Sequence, residues 1–134
     1  MAFELKILVW GCVLGLVHIF AAGQAKTRQY GRDWNVSARD AELPPPPSPV
    51  VGRLMRAQAN YFETFPIAAL LLLIAGLVPS SSVTPWGASL WFGARLVYLP
   101  LYAFGVPVVR TLVWGVSFVG ILLLLWPPLA ASFS

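Results

Sequence analysis

Four stretches of this chain are apolar enough and long enough to be read as bilayer crossings, and this restricts the fold more than any motif does. A hydrocarbon core of ~30 Å needs about 20 consecutive, mostly apolar residues. The four runs lie at about 5–25, 53–78, 86–103 and 107–126. Lipid cannot hydrogen-bond a bare backbone, so each crossing has to be a helix. Composition agrees: 58% of the residues are hydrophobic and 10% charged, against about 25% charged in a soluble domain. Four spans and one polar loop account for the 134 residues. The expected architecture is therefore a single all-α membrane domain over 1–134, built as a four-helix transmembrane bundle.

The connections between spans carry most of the charge. Residues 26–52 form a polar loop with Lys26, Arg28, Arg32 and Arg39, followed by PPPPSP at 44–49. That proline run favours extended polyproline II geometry. PSSSVTP at 79–85 is an uncharged turn, Gly105 and Pro107 separate the third span from the fourth, and Pro127 with Pro128 is expected to end the fourth. The first run could pass for a signal peptide cleaved near Ala22. It exceeds the usual apolar core of 7–15 residues, and Glu4 interrupts the basic leader, so it is read as a retained helix. Lys26, Arg28, Arg32, Arg39, Arg53, Arg56 and Arg110 gather on one side, against Lys6 on the other. The positive-inside rule then places both termini of this multi-pass protein away from the cytoplasm.

Several residues admit plain readings. Cys12 is the single cysteine, so there is no intrachain disulfide or thiolate cluster, and it is expected to be a small buried packing residue. Gly11 and Gly15 have the GxxxG spacing that lets another helix approach closely. His18 reads as a packed histidine, and Trp34, Trp86 and Trp126 as interfacial anchors. No metal site is expected. The net charge of +4 is not gathered into a continuous solvated patch, which argues against a nucleic-acid partner.

The second span begins with RLMRAQANYFETFP, which is unusual for a membrane helix. Arg53, Arg56, Asn60 and Glu63 are spaced 3, 4 and 3, so at ~100° per residue they share a stripe roughly 80° wide and about 15 Å long. A charge at the bilayer centre costs ~2.5–3.5 kcal/mol even on lenient scales, so the stripe must face protein or water. The third span repeats the spacing with Arg95, Tyr98, Tyr102 and Gly105, and Arg110 opens the fourth on the same side. Four guanidiniums against one carboxylate leave about three positive charges unbalanced. A pocket for an anionic ligand satisfies that surplus better than internal ion pairing does.

With those residues in place, the chain resembles the MAPEG family, the membrane-associated proteins in eicosanoid and glutathione metabolism. RAQANYFETFP matches the family pattern R-A-x-x-N-x-x-E-x-x-P at Arg56, Ala57, Asn60, Glu63 and Pro66, and ARLVYLPLYAFGVPVVR resembles its arginine and tyrosine positions. The polar loop looks like that of bacterial-type members, which implies a bacterial inner membrane. The resemblance implies a homotrimer that binds glutathione between protomers. Arg53, Arg56, Asn60 and Glu63 of one subunit would face Arg95, Tyr98 and Tyr102 of the next. Arg110, with Tyr102, resembles the catalytic pair: a cation beside a thiol of pKa about 8.5 favours the thiolate. That thiolate would attack a lipophilic small molecule arriving from the bilayer.

Two other functions compete with a glutathione-dependent transferase or peroxidase-like enzyme. A non-enzymatic anion- or lipid-binding trimer, or an accessory subunit of a membrane complex, would use the arginines for headgroups or a partner's carboxylates. A channel or transporter is disfavoured by the absence of an inverted repeat and by stripes that stop near mid-membrane.

Overall fold

Antiparallel pairing of long helices organises the chain. The computed structural model describes residues 1–40, 47–79 and 81–134. Among these the elements are α1 (Phe3–Tyr30), α2 (Arg32–Val36), α3 (Pro49–Leu77), α4 (Thr84–Ala103) and α5 (Pro107–Ala131). α1 packs along α3, α4 packs along α5, and α3 joins the two pairs.

Small residues set how closely these helices approach, as expected where lipid offers no hydrophobic drive for helix association. Gly11 and Gly15 face α3. A Cβ at Gly11 would meet the Phe65 ring at 3.3 Å and Trp91 at 3.2 Å, and one at Gly15 would meet Phe62 at 3.3 Å. The Tyr61 hydroxyl donates to the Gly11 carbonyl oxygen at 2.5 Å across the same seam. The α4–α5 crossing is tighter. A Cβ at Gly120 would lie 2.6 Å from the Trp91 backbone nitrogen and 2.7 Å from the Gly87 carbonyl oxygen, and one at Gly87 would lie 2.8 Å from the Gly120 carbonyl oxygen. Around these contacts the core collects Leu14, Tyr61, Ala68, Leu72, Trp91 and Leu124. Tyr61, Phe65 and Trp91 stack in succession, with ring centroids 5.1 Å and 5.9 Å apart.

Several boundaries differ from the sequence expectations. α1 continues past the apolar run to Tyr30, because the polar residues after Ala22 are compatible with helix and leave the membrane as they extend it. The loop contains the short α2, and Pro49 belongs to α3, where it occupies the first turn and needs no backbone donor. Ser48 caps that helix by accepting from the Val51 N–H at 3.4 Å. Residues 44–46 of the proline run and residue 80 of the uncharged turn lie outside the described residues. Pro127 and Pro128 do not end α5, which runs to Ala131. Their fixed φ suits a helix, and the two missing donors fall in its last turns, where Ser132 N–H closes onto the Pro128 and Leu129 carbonyls. Cys12 is exposed on the outer surface of α1, because Gly11 and Gly15, not Cys12, take the inward positions.

α1, α3 and α5 are long and apolar enough to cross a membrane. α4 is not in that group, although it has 20 residues. Arg95, Pro85, Pro100 and four Trp and Tyr side chains lower its hydropathy. The protein is thus an integral membrane protein in which α4 packs against the three helices that are apolar enough to cross.

The α4–α5 crossing yields a stability prediction. Gly120→Val forces a branched side chain into backbone atoms and should cost about 1–3 kcal/mol. Gly93→Ala, where a Cβ meets nothing within 4 Å, should leave the thermal midpoint in detergent unchanged.

Candidate functional site

The turn between α4 and α5 gives the site its shape. α4 stops at Ala103, Gly105 takes φ +73°, and Pro107 starts α5. Gly105 N–H donates to the Tyr102 carbonyl and Val106 N–H to the Leu101 carbonyl, both at 3.0 Å. The left-handed backbone favours glycine, and space demands it too: a Cβ there would lie 2.7 Å from Cζ of Arg53. Arg53 on α3 is therefore seated against the turn.

Arg110 follows Pro107 within the first turn of α5, so its guanidinium comes back over the α4 C-terminus. Its Cζ sits 4.7 Å from the centroid of the Tyr102 ring. Arg56, one turn after Arg53, approaches the same ring at 6.0 Å. Arg53, Arg56, Tyr102, Gly105, Pro107 and Arg110 together line a cleft of about 180 Å³. Three cations share this small space, and among the described residues none has a carboxylate partner. The N-terminus of α5 opens beside them and adds its partial positive charge.

Behind the cleft lies a dry layer. Arg95 is completely buried. Its Nη1 donates to Oδ1 of Asn60 at 2.9 Å, and its guanidinium lies 4.5 Å from the Tyr98 ring and 5.2 Å from the Tyr61 ring. Nε and Nη2 have no hydrogen-bond partner among the described residues, so the two phenol faces supply most of the stabilisation of this charge. Tyr98 meets Tyr102 edge-on at 5.5 Å, which links the layer to the cleft. His18, also buried, stacks on Tyr61 at 4.7 Å as a packed histidine.

The structure divides the sequence candidates. Arg53, Arg56, Tyr102 and Arg110 converge in one cleft of a single chain. Asn60, Arg95 and Tyr98 form the layer beneath it, so Arg95 is not one of the accessible cations. Glu63 is exposed, lines no part of the cleft and has no partner among the described residues. Tyr61 was not singled out by sequence reasoning, yet it contacts His18, Phe65, Arg95 and the Gly11 carbonyl. It lies off the polar stripe of α3, so the spacing carried no signal for it.

The sequence model of the MAPEG family matches residues 7–130, nearly the whole chain. No curated protein and no solved structure matches it.

The buried pair can be tested by a double-mutant cycle. Asn60→Ala strands a buried guanidinium and should destabilise by about 1–3 kcal/mol. Arg95→Met, which replaces the charge by an apolar chain of similar length, should cost less. Thermal unfolding of the double variant should recover most of the Asn60→Ala loss.

Proposed function

The chain belongs to the MAPEG family, and from that premise we propose that it is a membrane-bound, glutathione-dependent transferase or peroxidase-like enzyme. It activates a thiolate for attack on lipophilic electrophiles. The observation that carries this reading is the convergence of Arg53, Arg56 and Arg110 on one cleft without a carboxylate among the described residues. Glutathione is a natural complement, with two carboxylates for two of the cations and a thiol for the third.

The roles follow from position. Arg53 and Arg56 take the peptide's carboxylates, and Arg110 sits beside the sulfur. A guanidinium cannot give up its proton, so Arg110 acts by electrostatics, stabilising S⁻ relative to SH while the thiol proton leaves to solvent through the open side of the cleft. Tyr102, held between Arg56 and Arg110, directs its hydroxyl to the reacting group. Asn60 contacts the ligand, and Arg95 holds Asn60 in place from behind.

The cleft of one chain is small for a tripeptide, since small-molecule sites usually span ~300–1,000 Å³. This supports a site completed between copies of the chain, as in the homotrimers of the family. Glu63 supports it as well: an unpaired carboxylate on the outer face of α3 finds the ligand's amine only in an adjoining protomer's cleft. In that assembly α4 crosses the membrane with the other three helices and is shielded from lipid by its neighbours. The basic loop faces the cytoplasm, in a bacterial inner membrane.

Glutathione titrated into the purified protein should raise a thiolate band in the near ultraviolet. Arg110→Ala should lower the thiolate fraction at neutral pH about tenfold or more, the effect of one pKa unit or above. Absence of both glutathione binding and thiolate formation in the unaltered protein would rule the enzyme out.

A further inference from the structure

A second cavity, of about 260 Å³, opens between the C-terminal end of α1 and the short α2. Its lower wall is Ile19, Phe20 and Gly23, and its upper rim is Lys26, Trp34 and Arg39. We propose that this cavity binds an anionic phospholipid, with the phosphate at Lys26 and Arg39 and the upper acyl chain along Ile19 and Phe20.

The first argument is position along the membrane normal. α1 has 28 residues, or ~42 Å at ~1.5 Å per residue, while the hydrocarbon core is ~30 Å thick. Its last turns therefore rise through the headgroup zone. Phe20 and Lys26 are separated by ~9 Å along the helix, about the depth of that zone. Phe20 and Ile19 are exposed where chains lie, and the cations sit where phosphates lie.

The second argument is construction. One side-chain hydrogen bond straps α2 to α1, and four local ones hold the rim in place. Thr27 Oγ1 donates to the Gly23 carbonyl at 2.9 Å, and Asn35 Nδ2 donates to Thr27 Oγ1 at 3.0 Å. Arg39 Nη2 donates to the Asn35 carbonyl at 3.2 Å and to its Oδ1 at 3.0 Å, and Ser37 Oγ accepts from Arg39 N–H at 3.1 Å. Arg39 itself holds φ +62°, a backbone that a side chain rarely adopts. Its guanidinium lies 4.5 Å over the Trp34 ring. Nε and Nη1 remain without a partner among the described residues and can serve a phosphate. The indole is the side chain best suited to the headgroup level.

The third argument is charge. Residues 26–40 hold Lys26, Arg28, Arg32 and Arg39 against Asp33 and Asp40, which favours an anionic over a zwitterionic headgroup. The cavity is independent of the arginine cleft, so this proposal does not rest on the enzymatic reading.

The test uses the full chain purified in a neutral detergent and delipidated. It is offered phosphatidylglycerol, phosphatidylcholine of the same chains, or inorganic phosphate, and retained ligand is read by native mass spectrometry. The expected result is one phosphatidylglycerol per chain, preferred about tenfold over phosphatidylcholine and not displaced by inorganic phosphate. Gly23→Phe fills the apolar wall at a position where a Cβ meets nothing within 4 Å, and should abolish that preference without moving the thermal midpoint. If that variant does not fold, Lys26→Gln with Arg39→Gln should abolish it instead. Equal retention of the two lipids, displacement by inorganic phosphate, or a preference that survives these changes would overturn the proposal.

Discussion

A guanidinium keeps its charge at any pH a cell sees, so a membrane protein that carries several must give each one a place. This chain uses two solutions side by side. Arg95 is taken out of solvent altogether, with one hydrogen bond to Asn60 and two phenol rings over its faces. Arg53, Arg56 and Arg110 instead share an open cleft around Tyr102. The first arrangement builds the wall that shapes the second. Chemistry toward an anion belongs to the second, because only its cations are accessible.

The helix packing exists to keep those two layers in register. The glycine contact between α4 and α5 brings their backbones together at one end, and the Gly105 turn reverses the chain at the other. Between them α4 carries Arg95, Tyr98 and Tyr102 on the face toward α3. Those side chains hold α4 below the hydropathy of the other long helices' apolar stretches, and it packs against all three of them. Tyr61 closes the arrangement from the α1 side, with its hydroxyl on the Gly11 carbonyl and its ring against both His18 and Arg95.

Much of this was legible in the sequence because lipid narrows the choices. Apolar length located the long helices to within a few residues, and the 3, 4, 3 spacing identified both polar faces. The sequence did not separate Arg95 from the other arginines. Spacing gives the face of a helix but not the depth at which a neighbour covers it, and here Tyr61 and Tyr98 decide the matter. Helix ends were misplaced where polarity and helicity part company: α1 outruns its apolar stretch, and α5 passes two prolines that forgo two backbone hydrogen bonds near its C-terminal end. Glu63 does not line the cleft of its own chain, since an 80° stripe is wide enough to bridge two surfaces. The spacing of Ile19, Phe20 and Gly23 carries no sign of the α1–α2 cavity, whose cationic rim is set by the fold of α2.

The decisive quantity is how strongly the arginine cleft prefers negative charge. Calorimetric titration of the protein in nanodiscs with glutathione and with its diethyl ester, which keeps the thiol but loses both carboxylate charges, measures it directly. Recognition by the three accessible guanidiniums predicts that the ester binds at least tenfold more weakly, a difference of about 1.4 kcal/mol or more. Equal affinity for the two would contradict it.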